Sequence, residues 1–203
     1  MRTTRTPIRR ACLAAVAVSA ALTLTACGGD SGSAASSPSA SAETSADAHN
    51  AQDVSFAQGM IPHHQQAVEM AALADGRASA AEVKDLAARI EKAQGPEIET
   101  MTGWLKTWDE KVPEAMPGMD HSAHSGMAGM MDGADMEKLK KMSGKDFDSM
   151  FLTMMVEHHE GAVEMATTEK AKGGYPAATA MAGDIITTQN AEISEMKKLL
   201  GEN

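Results

Sequence analysis

An internal duplication constrains this chain more than any other feature. Residues Asp53 to Ala71 align without a gap onto Asp148 to Ala166, an offset of 95, and ten of the 19 positions are identical. The register continues downstream, where Ile90, Gln94, Glu97, Ile98, Met101 and Leu105 match Ile185, Gln189, Glu192, Ile193, Met196 and Leu200. One offset held over two separate segments marks a repeat, and each copy must fold as the same supersecondary unit. The copies are rich in Ala, Met, Glu, Gln, Lys and Leu, all good helix formers. Asp75-Gly76 and Gly173-Gly174-Tyr175-Pro176 punctuate them. Each copy therefore reads as two helices, near 53–74 and 79–110 in the first and 144–171 and 177–200 in the second. Ser79 with Glu82 reads as a capping box opening the second helix, Ser143 with Asp146 as the start of the third, and Gly201 as a C-terminal cap. Strand patterns are absent. Two hairpins that bury their apolar stripes on each other predict an all-α fold: a four-helix bundle built from two tandem helical-hairpin repeats.

At about 100° per residue, Phe56, Met60, His63, His64, Ala67, Met70 and Ala71 share one face of the first helix. Glu69 falls on the opposite side, as a solvated surface charge. The same arithmetic turns His158 inward, with Met155 and Met165 beside it. On the second helix of each copy, Gln94, Glu97 and Met101, and likewise Gln189, Glu192 and Met196, lie on the apolar stripe. A carboxylate facing a core is costly unless it is paired or meets a cation. Internal salt bridges from Glu97 and Glu192 to His63 and His158 are one solution. A bundle interior built for a metal is the other.

The usual bundle metal centre is a di-iron or di-manganese carboxylate site using Glu-x-x-His. Here Met60 and Met155 stand three residues before His63 and His158, and no Glu-x-x-His occurs. Thioether with imidazole suits Cu(I), and Ag(I) by the same softness. The expected bundle ligands are Met60, His63, His64, Met70, Glu97 and Met101, with Met155, His158, His159, Met165, Glu192 and Met196 in the second copy. His63 and His158 are the anchors, and Glu97 and Glu192 orient imidazoles or balance charge. Between the copies, residues 113–136 carry Met116, Met119, His121, His124, Met127, Met130, Met131 and Met136 in a Gly-rich tract. Gly and Pro there argue against a regular helix, and no core is evident for these methionines to fill. Such a composition captures metal.

The N-terminus reads as an address. Arg2, Arg5, Arg9 and Arg10 precede a short apolar stretch that ends at Leu24-Thr25-Ala26-Cys27. Residues 1–26 are thus expected to be a signal peptide, and Cys27 the lipidated first residue of the mature chain. Residues 27–50 form a Gly/Ser/Ala tether, and 51–203 the helical domain (repeat one 53–108, repeat two 148–200). Cleavage leaves 14 basic residues against 28 acidic ones. That balance excludes nucleic acid as a partner. Cys12 leaves with the signal, so no free thiol remains, which suits an oxidising compartment outside the cytoplasm.

Met60-Ile61-Pro62-His63-His64 with Ala67 and Met70, then Gln94, Glu97, Met101, Trp104 and Leu105, resembles the bacterial family known as domain of unknown function 305, with its CopM-like periplasmic copper-binding members. The resemblance covers about 53–108 and 148–200. It implies a ferritin-like architecture, Cu(I)/Ag(I) binding and copper tolerance. In the second copy Glu157 stands for the Pro and Leu199 for the Trp. The expectation is a lipid-anchored copper-binding protein on the outer side of a membrane, not an enzyme, with an envelope copper-handling protein as partner. Its rivals are a metal-dependent oxidase in the same bundle and a helical envelope interaction module without metal.

Overall fold

Asn50 opens the helical region. Its side-chain oxygen accepts from the backbone N–H groups of Gln52 (2.7 Å) and Asp53 (3.2 Å), and Asp53 accepts in return from the Asn50 N–H at 2.6 Å. This capping box serves donors that a helix start otherwise leaves bare. It launches α1 (Ala51–Ala72). The computed structural model describes residues 48–114 and 128–202. In it α1 is followed by the single turn α2 (Ala74–Arg77), then α3 (Ala81–Thr107), α4 (Gly133–Lys141), α5 (Gly144–Lys172) and α6 (Pro176–Leu199). The fold is all-α, as the repeat predicts. Among the described residues there is no strand, only an isolated bridge between Ala78 and Gly144. No helix among them is long and apolar enough to cross a membrane. Gly201, at φ 81°, closes α6: its N–H reaches the Lys198 carbonyl, and the Glu202 N–H reaches that of Lys197.

The helices α1 and α3 form one hairpin, α5 and α6 the other, and the hairpins meet along α1 and α5. These two run antiparallel. Asn50 Nδ2 donates to the Lys172 carbonyl at one end, and Asp148 receives the α2–α3 turn at the other. The duplicated aspartates make two crossed staples. Asp53 accepts from the backbone N–H groups of Gly174 and Tyr175 in the α5–α6 turn, at 2.9–3.1 Å. Asp148 accepts from those of Ser79 and Ala80 in the α2–α3 turn, both at 3.0 Å, and from the Ser79 hydroxyl. Each copy thus closes the turn of the other, so neither hairpin is complete alone.

Apolar packing divides into two cores. One gathers Met70, Val83, Leu86, Ile90, Phe147, Phe151, Met155 and Met196. The other gathers Phe56, Met60, Ile61, Met101, Leu105, Ala162 and Ile185. Each large side chain so buried stabilises the fold by about 1.5–3 kcal/mol relative to exposure. His63, His64, His158 and His159 are buried as well and belong to neither core. Along α1, His63 and His64 fall between Met60 and Met70, which belong to different cores.

The structure corrects several local expectations. The Ser79 capping box does not form: α3 starts at Ala81 behind Ala80, and the Ser79 hydroxyl serves Asp148 instead. Ser143 does stand at the N-cap of α5, without a side-chain cap bond. Gly76 lies inside α2 rather than in a break. Glu69 is not merely solvated, since Lys140 of α4 pairs with it at 3.1 Å. The tract between the copies is not wholly irregular. Asp132 caps α4, and Met131, Met136 and Leu139 pack into the first core. Burial in an apolar cluster gives those two methionines the packing role that composition alone did not suggest.

Candidate metal centre

Consecutive residues on a helix point about 100° apart. His63 and His64 therefore look in two directions from α1, as His158 and His159 do from α5. The first of each pair faces the other hairpin. The rings of His63 and His158 lie 3.8 Å apart between centroids, tilted by 44°. The second of each pair faces its own hairpin partner. His64 Nε2 meets Glu97 Oε2 at 2.7 Å, and His159 Nε2 meets Glu192 Oε2 at 2.8 Å. The glutamates thus hold the second histidine of each pair, not the first. The rings of His63 and His158 thus meet as one pair across the hairpin interface.

A carboxylate or carbonyl oxygen only accepts. The Nε2 atoms of His64 and His159 must therefore donate to their glutamates, and His63 Nε2 donates to the Ala128 carbonyl at 3.2 Å. The Nδ1 atoms of all three are buried without a hydrogen-bond partner. His158 has no such partner at either nitrogen. A buried polar atom left unsatisfied costs about 1–3 kcal/mol, and native interiors rarely tolerate several together. Burial, reinforced by His64, holds the His63 pKa down to about 3; burial and His63 push that of His158 well below its ordinary value. Both rings stay neutral at physiological pH and keep their lone pairs. The Gln94 amide, 2 % exposed, and the Gln189 side-chain oxygen are also buried without partners.

The other expected ligands sort by core. Met60 and Met101 are buried in the second core, and half-buried Met165 packs against it. Met70, Met155 and Met196 are buried in the first. Met60 and Met70 are ten residues apart on one helix, a rise of about 15 Å, so they do not meet one ion together. Thioethers are instead grouped across the copies, Met60 with Met165 and Met70 with Met155. Among the described residues no three His, Cys, Asp or Glu side chains gather into a metal-holding group. Imidazole and thioether remain as the donor types. Met130 is half-buried and Met131 buried. Cys27, Met116, Met119, His121, His124 and Met127 lie outside the described residues, as do the signal and most of the tether.

Three contributors escaped the sequence reading. Gln66, Gly161 and Ala128 place a length of backbone beside the histidines. Gln66 and Gly161 occupy the same place in the two copies and differ there. A mismatch within an otherwise matched motif was the available signal.

Comparison with known proteins agrees with this architecture. The family described as Domain of unknown function (DUF305) matches residues 53–200. No curated protein matches the chain. Among solved structures, a DUF305 protein from Streptomyces coelicolor is 34% identical, with a TM-score of 0.66 over 77% of this chain and 93% of that one. CopM in its Cu(I)-bound form is 33% identical, with a TM-score of 0.60 over 72% of this chain and 94% of that one. CopM in its Cu(II)-bound form is 38% identical, with a TM-score of 0.64 over 73% and 95%.

Proposed function

The chain belongs to the DUF305 family, and from that premise we propose that it binds Cu(I) or Ag(I) in its helical core and holds or passes on the ion without catalysing a reaction. One observation carries the reading. Buried imidazoles hold Nδ1 atoms that no protein group satisfies, while two of the opposite Nε2 atoms are oriented by Glu97 and Glu192. A carboxylate behind a ligating histidine is the usual way to fix its tautomer and raise its basicity. Neutral nitrogen with nearby thioether suits a soft monovalent ion, which is content with few ligands. CopM, solved with Cu(I) and with Cu(II), supports copper as the metal.

The wider setting rests on the sequence. The basic and apolar leader ending at Cys27 supports lipid anchoring at a membrane surface outside the cytoplasm. The donors Met116, Met119, His121, His124, Met127 and Met130 then act as a capture tract between the two hairpins, and an envelope copper-handling protein is the expected acceptor. Contribution to copper tolerance follows from sequestration.

Competition between the mature protein and a Cu(I) chelator tests the reading, repeated with Ag(I), Zn(II) and Fe(II). Cu(I) and Ag(I) are expected to bind far more tightly than Zn(II) or Fe(II). Tighter Zn(II) than Cu(I) at neutral pH would overturn it. Metal-dependent oxygen consumption with turnover would favour the oxidase instead.

A further inference from the structure

The copies differ at several positions beside the histidines, and at one of them both copies meet a third segment. Gln66 lies one turn after His63, and its counterpart Gly161 lies one turn after His158. Both touch the same short segment. Gln66 Nε2 donates to the Met131 carbonyl at 2.9 Å, and Gln66 Oε1 accepts from the Met131 N–H at 2.8 Å. Both bonds are buried. On the other side, a Cβ added to Gly161 would overlap the Ala128 backbone. Gly129 adopts φ 79°, and a Cβ there would press on the carbonyls of Glu157 and His158. A side chain at either glycine would lift the segment away. Seated in this way, Ala128 offers its carbonyl to His63 Nε2.

A single segment cannot obey a twofold relation. It needs a hydrogen-bonding arm on one side and bare backbone on the other, and Gln66 and Gly161 supply one each. Gln66 and Gly161 thus differ where each meets its side of this segment.

We propose that Ala128–Met131 is a positioning strap: clamped by Gln66 and seated on Gly161, it commits His63 Nε2–H to a backbone carbonyl and makes Nδ1 the nitrogen that meets the ion. Glu97 and Glu192 do the same for His64 and His159. The strap gives His63, which has no carboxylate, an equivalent acceptor. The proposal rests on the soft-metal reading above. Gln66, Gly161 and Ala128 are positioning residues and touch no metal themselves.

The test uses the full mature chain labelled with 15N, with Ag(I) as the probe. Long-range 15N–1H correlation spectra of the apo protein should show His63 as the Nε2–H tautomer, and Ag(I) should shift Nδ1. Gly161→Ala, which places a good helix former in α5, should unseat the strap. Gln66→Ala is the second variant. In both, the Met131 amide should lose protection from hydrogen exchange and His63 should become a mixture of tautomers. Ag(I) exchange should accelerate by at least about tenfold, as loss of two ordinary hydrogen bonds implies. His64 should stay Nε2–H, held by Glu97. An Nδ1–H tautomer of His63 in the wild type would overturn the proposal. So would an unchanged tautomer and exchange rate once Met131 is unprotected, or a Met131 amide that stays protected in both variants. Absence of any Ag(I)-dependent histidine shift in the wild type would instead overturn the metal-binding reading, while the apo tautomer result would still judge the strap.

Discussion

The two copies agree and disagree at different kinds of position. They agree at the His–Glu pairs, 2.7 Å in one and 2.8 Å in the other, and in the use of an aspartate to close the opposite turn. They disagree at Pro62 against Glu157, at Gln66 against Gly161, and at Ala74 against Glu169. The agreements sit at the shared centre and at the crossing points. Two differences lie where something is present only once: the strap contacts one side of the pair through Gln66 and the other through Gly161, and only the Asp53 staple has a buried carboxyl neighbour. Twofold likeness thus marks the histidine–glutamate pairs and the staples, and two of its breaches mark features present once.

The largest expected effect bears on whether His63 and His158 form one centre. His63→Ala and His158→Ala should each weaken Cu(I) affinity by more than about 100-fold, beyond what loss of a mere supporting partner costs. Chelator competition measures this. If each variant instead loses one bundle-bound ion and keeps the other at full affinity, the copies bind independently.

The glutamates come next. Glu97→Gln and Glu192→Gln should lower affinity by about 10–100-fold each, and by similar factors, because they orient equivalent imidazoles. A large loss in one and none in the other would show that only one copy contributes a ligand.

The staples should differ modestly. Asp148→Ala strips the partner from two backbone N–H groups and one hydroxyl, a loss of about 2 kcal/mol or more in chemical denaturation. Asp53→Ala strips three N–H groups, including that of Asn50, but Glu169 beside it can accept in its place. It should cost less. An equal loss would argue that Glu169 gives no support.

The smallest effect is a pH dependence confined to the Asp53 end. Burial, with the Asp53 carboxyl beside it, raises Glu169 to about 8. Burial pulls Asp53 upward too, but the N–H groups of Tyr175, Asn50 and Gly174 outweigh it and leave Asp53 below its ordinary value. Glu169 therefore keeps its proton at neutral pH. Its contribution is full below the unfolded value of 4.5 and is lost as pH rises through about 8. Melting temperature should fall by a few degrees between pH 7 and 9. In Glu169→Gln, which holds a neutral donor in place, the fall should vanish. An unchanged slope in that variant would remove Glu169 as its cause.

Much of this was legible in the residues. Helix-forming composition and a repeat of fixed offset determine the all-α hairpins, since propensity and apolar period are local properties of the chain. The inward turn of His63, His64 and Glu97 follows from 100° steps along a helix. Which partner each side chain meets does not, because that depends on how two hairpins cross. Periodicity left Glu97 free to pair with His63, whereas the crossing sets His63 against His158 and gives Glu97 to His64. Composition marked residues 113–136 as a metal-capture tract with no core to fill, while packing took Met131 and Met136 into a core. Gln66, Gly161 and Ala128 are far apart in sequence and gain meaning only where the Gln66 amide and the Gly161 backbone meet the same segment. The sequence by itself determined the helices, the duplicated aspartates and the inward donors. Only the tertiary structure decided the pairing of the histidines, the crossing of the staples and the seat of the strap, because these are contacts between segments whose mutual placement no local pattern encodes.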